Sequence, residues 1–268
     1  MITDFIFDGM SLSEFGYMIV NDGVEDDNLD VSSMTYTTIK SPKSDISHSV
    51  DYQYETNYSR TFEIMKGGCD LVGNDYFLTN DDISEITRWL VRKEYKIFKE
   101  INTDDVTDCT YFFTQNTVTK NMYAGNCIGL LITVNANSPY GFTEIERVQW
   151  DTSTSTEKNI KLDTDEEGYI YPSMKIVCLN DGDFTINNSY ENRDMTIKDL
   201  IKGEEIIIVG GDTLQISSSN ANRNFSSTFN YKFLRLCNMY GNTNNNLVCK
   251  SGECNILFTY RGIRKVGM

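Results

Sequence analysis

Large apolar residues alternate with polar ones along most of this chain. Val50, Tyr52 and Tyr54 alternate with Asp51, Gln53 and Glu55, and Tyr58, Arg60, Phe62 and Ile64 alternate with Ser59, Thr61 and Glu63. Phe229, Tyr231 and Phe233 repeat the pattern, as do Ile256, Phe258 and Tyr260. A period of two places successive side chains on opposite faces of an extended strand, so these stretches read as half-buried strands. Gly210-Gly211-Asp212 separates two such runs, Ile206–Val209 and Thr213–Ile216. Glycine tolerates the positive φ of tight turns, so a hairpin is expected there. The expected fold class is mainly β.

One segment departs from the period of two. Asp82 precedes Glu85 by three residues, a capping-box-like start. Ile83, Ile86, Trp89 and Leu90 then form an apolar stripe at helical spacing. A helix is expected near 82–95, covering one face of a sheet. A weaker helical turn is expected at Thr196–Lys202, where Leu200 and Ile201 precede Gly203.

The length of 268 residues suits two domains. Pro139-Tyr140-Gly141-Phe142 ends the apolar run Cys127–Val134, a polar and acidic stretch follows, and strand patterns restart at Tyr169. The expected division is a β-rich domain with one helix over 1–142, a linker over 143–168 and a β-sandwich over 169–268. The last strand, 256–260, is left open to a return into the first domain.

Composition narrows the chemistry. Lys and Arg number 24 against 39 Asp and Glu, a formal charge of −15. Such a chain repels phosphate, so no stable nucleic-acid binding is expected. No apolar run approaches the roughly 20 residues that span a bilayer, and Met1–Phe5 has no signal-peptide character. The seven Cys lack C-x-x-C spacing and read as reduced, mostly buried thiols of a protein made in a cytosol. A Ser-His or Cys-His mechanism would have to use the single His48, which lies in Ser47-His48-Ser49. No nucleophile-elbow, phosphate-loop, zincin or dinucleotide motif occurs. No catalytic residue, cofactor or metal ligand is assigned.

Three stretches resemble the distal tail proteins (Dit) of long-tailed bacteriophages. They are Phe5-Ile6-Phe7-Asp8-Gly9 followed by Phe15-Gly16-Tyr17-Met18-Ile19, the helix with its Trp89-Leu90 pair, and Asn126–Val134 ending in Ser138-Pro139-Tyr140. In the second half, Gly168–Pro172, Thr185–Asn188, Gly203–Ile208 and Asn255–Arg261 follow in the order of that family's C-terminal sandwich. The resemblance implies a homohexameric ring built by the first domain, with a galectin-like β-sandwich projecting outward. It implies a place at the distal end of the virion tail, after synthesis in the host cytoplasm. The implied partners are the tail tube protein, the tail-tip hub, and receptor-binding or baseplate proteins, with DNA passing through the ring. No room remains for an inserted carbohydrate-binding module.

The residues add two expectations. The strand-rich segment Met34–Met65 is expected to form an inter-subunit belt, with Tyr36, Tyr52, Tyr54, Tyr58 and Phe62 at the contact. The acidic loop carrying Asp22, Glu25, Asp26 and Asp27 is a candidate lining for a DNA-conducting lumen. The alternative is a carbohydrate-binding sandwich that adheres to a host surface, with Tyr169, Tyr171, Tyr190 and Phe225 as stacking faces.

Overall fold

The structure is a computed structural model that describes residues 2–21, 34–42, 45–54, 57–67, 73–102, 112–191, 193–211, 213–239 and 243–265. The chain divides into two units, 1–142 with 264–268, and 143–263.

In the first unit, β1 (Ile2–Phe7) buries Ile2, Phe5 and Phe7. Asp8 and Gly9 both take positive φ, at 51° and 86°. That geometry matches the twist of a two-residue hairpin, and it returns the chain into β2 (Met10–Ser11). β3 (Tyr17–Asn21), β4 (Met34–Lys40), β5 (Ser47–Tyr54) and β6 (Ser59–Lys66) follow. After the helix come β7 (Lys96–Asn102), β8 (Phe112–Tyr123), β9 (Asn126–Ala136) and the short β10 (Gly141–Phe142). Seven strands form one antiparallel sheet in the order β2-β1-β7-β8-β9-β6-β3.

Helix α1 (Asn80–Leu90) supplies Ile86, Trp89 and Leu90 to the core of this unit. It starts and stops earlier than its sequence pattern predicts. Thr79, not Asp82, is the N-cap: Thr79 Oγ1 accepts from the Asp82 N–H, and the Asp82 carboxylate accepts from the Thr79 N–H at 2.7 Å. Lys66 Nζ approaches the same carboxylate at 2.8 Å. At the other end, Val91 and Tyr95 lie off the apolar stripe and are exposed, so burial offers nothing to prolong the helix. Trp89 is held on three sides. It stacks on Phe5 and Phe15, meets Phe7 edge-on, and donates its Nε1–H to the Phe7 carbonyl at 3.0 Å.

Thr114 and Asn116 on β8 are buried, and neither the Thr114 hydroxyl nor the Asn116 amide has a hydrogen-bond partner among the described residues. An unpaired buried polar group costs about 1–3 kcal/mol. Thr114→Val is therefore expected to raise the unfolding free energy by about 1 kcal/mol in denaturant titration. No gain would show that solvent satisfies the hydroxyl.

The second unit is a sandwich. One sheet has the order β11-β21-β14-β17-β18: β11 (Glu146–Asp151), β21 (Cys254–Tyr260), β14 (Ser173–Cys178), β17 (Glu205–Val209) and β18 (Gln215–Ser218). The other has the order β12-β20-β15-β16: β12 (Glu157–Lys161), β20 (Asn244–Ser251), β15 (Gly182–Asn188) and β16 (Arg193–Leu200). Trp150, Ile176, Ile206 and Phe258 from the first sheet share one core with Ile160, Ile186, Ile197 and Leu247 from the second. β13 (Gly168–Ile170) pairs with β19 (Leu236–Asn238), α2 (Phe225–Thr228) is a single turn, and β22 (Ile263–Arg264) ends the described strands.

Three expectations are corrected here, and the place of 256–260, left open in sequence, is settled in favour of the sandwich. The stretch 143–168, read as a linker, supplies β11 and β12 to the two sheets. Residues 256–260 lie within β21, between β11 and β14, so that strand belongs to the sandwich. Thr196–Leu200 is strand, paired with β15, and only the next residues turn. Phe229–Phe233 is not a strand: Phe229 makes one bridge to Ile197, and Tyr231 takes φ of 55°. Its aromatic alternation serves a loop cluster instead, with Phe225, Tyr231 and Phe233 packed around Phe229.

β17 and β18 pair antiparallel with Val209 opposite Gln215, as the expected hairpin requires, and Asp212 of its turn lies outside the described residues. A Cβ at Gly210 would fall 2.1 Å from the Tyr171 carbonyl oxygen, so only glycine fits that approach. Beside β17, Glu204 and Arg223 form an ion pair with side chains only 2% and 3% exposed. Arg223 also donates to the Lys198 and Asp199 carbonyls, at 2.9 and 2.8 Å. Glu204 accepts from the Ser218 hydroxyl and the Ile201 N–H. The pair thus ties the loop after β18 to the end of β16.

Candidate assembly interface

β4 and β5 form a two-stranded ribbon that joins no other sheet among the described residues. The register sets Tyr36 opposite Tyr52 and Ile39 opposite His48, with a bulge between Thr37 and Thr38. Lys40 and Asp45 meet at 3.7 Å near the turn. Every described side chain from Thr35 to Pro42 and from Asp45 to Asp51 is exposed. The large apolar ones are among them: Tyr36 is 59%, Ile39 57%, Ile46 66% and Val50 54% exposed. A lone hairpin is marginally stable in water, and four large apolar groups in solvent deepen the deficit. The local sequence nonetheless specifies strands, through β-branched and aromatic residues alternating with Thr and Ser.

The predicted belt residues divide. Tyr36 lies on this ribbon. Tyr52 and Tyr54 belong to β5 by backbone, and their side chains lie outside the described residues. Tyr58 and Phe62 are buried in the core of the first unit, which removes them from any belt surface. Tyr58 stacks on Phe112 at 4.2 Å, and its hydroxyl donates to Glu100. Burial, with the Glu100 carboxylate alongside, pushes the Tyr58 phenol far above its ordinary range. The alternating pattern of β6 is that of β5, but its aromatic face packs inward between β9 and β3. Asp22, Glu25, Asp26 and Asp27 lie outside the described residues. Sequence reading placed Val50 on a strand but assigned neither it nor Ile39 to the contact. Their signal was the same alternation, carried by aliphatic rather than aromatic side chains.

Two of the proposed sugar-stacking residues converge. Arg235 lies 3.6 Å over the Tyr169 ring, close enough to Tyr171 for that side chain to help raise its pKa, and donates Nε–H to both oxygens of Glu191, at 2.6 and 2.7 Å. One face of Tyr169 is therefore taken by a guanidinium. Phe225 sits apart, in the loop cluster. His48 is exposed on β5. Cys127, Cys178, Cys237, Cys249 and Cys254 are free and buried, and among the described residues no cluster suits a metal ion. No helix among them is long and apolar enough to cross a membrane.

Family models place this architecture. A phage tail protein N-terminal domain matches residues 1–138, and a phage tail C-terminal domain matches residues 140–260. The chain belongs to this family of phage tail proteins. A tail protein is a component of the virion tail and associates with other tail components. No curated protein sequence matches it. The crystal structure of the Dit protein of phage SPP1 is described as a paradigm of the hub adsorption apparatus in phages that infect Gram-positive bacteria. It aligns with a TM-score of 0.65 over 97% of this chain and 99% of that one, at 11% identity. A chain of the phage P2 baseplate in its activated, calcium-containing conformation aligns with a TM-score of 0.47 over 97% and 98%, at 9% identity. The tail protein thus has the mainly β, Dit-like fold that its sequence motifs resemble.

Proposed function

We propose that this phage tail protein is the subunit of a homohexameric ring at the distal end of the tail. The ring joins the tail tube to the tail-tip hub, offers attachment points to host-recognition proteins, and lets DNA through its centre. The observation that carries this reading is the β4–β5 ribbon. It leaves the sheet of its own unit, exposes Tyr36, Ile39 and Val50, and gains a stable environment by lying on another subunit. A contact between unlike patches repeats from copy to copy, and it closes into a ring when the rotation between copies divides a full turn. The formal charge of −15 supports passage of DNA without adhesion. The role is structural and draws on no catalysis and no cofactor.

The test is the mass in solution, by light scattering after size exclusion over a range of concentrations. The wild-type chain is expected at six times its monomer mass. Ile39→Asp combined with Val50→Asp should run as a monomer with an unchanged melting temperature, because both side chains are exposed in the single subunit. A double variant that keeps the wild-type mass would remove the ribbon from the interface.

A further inference from the structure

Two of the buried thiols face each other. Cys178 ends β14 and Cys254 begins β21, and the register sets them directly opposite. Neither donates to the other through the backbone. The Cys178 N–H donates to the Glu204 carbonyl at 3.0 Å, and the Cys254 N–H donates to the Thr152 hydroxyl at 2.8 Å. The next bond between the two strands runs from the Leu179 N–H to the Glu253 carbonyl, at 2.8 Å. This pattern marks a non-hydrogen-bonded pair of an antiparallel ladder, where opposed Cα atoms stand about 4.5 Å apart and side chains come closest. A disulfide needs about 4.4–6.8 Å between Cα atoms, so the ladder itself supplies the spacing.

The other described cysteines have no thiol opposite them. Cys127 donates to the Gly129 carbonyl and Cys237 to the Glu191 carboxylate. Cys249 stands in the other sheet opposite Ile186, and donates to the Ser251 and Gly252 carbonyls. Cys178 and Cys254 also differ from each other in character. The Cys254 side chain and the Arg223 guanidinium hold the Cys178 thiol below its ordinary range, against burial and the Glu204 carboxylate. Cys178, with burial, pushes the Cys254 thiol up. A thiol with thiolate character beside a protonated one suits an attacking and a resolving cysteine.

We propose that Cys178 and Cys254 are a redox-modification site, which closes to a cross-strand disulfide when the tail protein passes, in the virion, from a reducing cytosol to an oxidising medium. The oxidant class is a peroxide. The Cys178 thiolate attacks one oxygen of hydrogen peroxide and the O–O bond breaks. Cys178 becomes a sulfenic acid, and the departing hydroxide takes up the thiol proton as water. The Cys254 sulfur then attacks the Cys178 sulfur, the S–O bond breaks and the S–S bond forms. The hydroxyl leaves with the Cys254 proton as a second water. Two electrons pass from the thiols to the peroxide. Both positions are strand ends, where local opening admits a small oxidant. The closed loop holds β15 through β20, the bulk of the sandwich, and a long loop constrains the unfolded chain most. The inference does not depend on the ring reading.

The test uses the full chain, reduced, desalted and exposed to a small excess of hydrogen peroxide. Remaining thiols are counted after denaturation, and linked peptides are mapped by mass spectrometry. Two of the seven thiols should be lost, in a linked peptide pair holding Cys178 and Cys254. The melting temperature should rise by about 5 °C or more, and dithiothreitol should reverse both changes. Cys178→Ala and Cys254→Ala, each compared with its own reduced form, should show no rise, and Cys249→Ala should behave as wild type. Retention of all seven thiols, a Cys178 carried on to sulfinic acid, or links only between other cysteines would each overturn the site. A Cys178–Cys254 link that leaves the melting temperature unchanged or lowered would overturn its role as a staple.

Discussion

Replacing Arg223 with Ala should lower the stability of the second unit by about 3–5 kcal/mol, because it strands a buried charge. Glu204 and Arg223 are almost wholly withdrawn from water, and each is satisfied on several sides. The loss should be far larger than for an exposed pair such as Lys175–Glu205, where about 0–1 kcal/mol is at stake. Arg223→Met with Glu204→Leu should recover much of it, since an apolar pair of similar volume removes both desolvation penalties. The same pair makes stability depend on acid. Burial works against the Glu204 carboxylate, but the Arg223 guanidinium, the Ser218 hydroxyl and the Ile201 N–H outweigh it and hold the group below its usual range. A carboxylate with a lowered folded pKa contributes stability above its unfolded value, about 4.3, and that contribution is lost as pH falls through the folded value. Melting temperature should therefore drop as pH is taken below about 5, and Arg223→Ala should flatten that drop. An Arg223→Ala protein that melts within a degree or so of wild type would show that the network contributes nothing.

Trp89→Ala should cost the first unit about 3–5 kcal/mol, the range for deleting a buried aromatic. The ring fills the junction of α1, β1 and the turn after β2, and its N–H closes a bond to the Phe7 carbonyl. Trp89→Phe should cost less, because it keeps most of the apolar area and loses the hydrogen bond. The chain has two tryptophans, Trp89 in the first unit and Trp150 in the second. Fluorescence of Trp150→Phe therefore follows the first unit alone, and fluorescence of Trp89→Phe follows the second. Denaturant curves read this way should show Arg223→Ala acting on the second unit. Equal shifts in both curves would mean that the two units unfold as one.

The strands were legible where alternation met burial, as in β6 and β21, because one face of each packs on a core. Alternation alone did not distinguish what a strand packs against. β5 and β6 look alike as strings, yet Phe62 ends in a core and Val50 in solvent. That difference depends on sheet order, a long-range property. Phe229–Phe233 misled for a related reason. Its aromatics gather around Phe229 in a loop, and a positive φ at Tyr231 breaks the extended backbone that the pattern implies. The helix was misplaced by a turn because Asp82 reads equally well as a cap or as the third residue of a box. The stretch 143–168 hid two strands because each buries few large side chains, Trp150 in β11 and Ile160 in β12. The Glu204–Arg223 pair left no trace in sequence, since its members are nineteen positions apart and meet only through the fold.

The chain enters and leaves its second unit at one place. The Thr143 N–H donates to the Gly262 carbonyl at 3.0 Å, and the Gly262 N–H returns to the Thr143 hydroxyl at 2.8 Å. The residues after 263 count with the first unit. In genetic terms the sandwich is a cassette, inserted near the end of another domain and clasped shut at its own base. A gene that exchanged the codons for 143–263 as one block would keep every strand pairing of both sheets in that cassette. It would also leave the seven-stranded sheet before it unaltered. Tail genes of this architecture can therefore exchange the second unit by recombination at two codons that lie far apart in the gene and side by side in the protein.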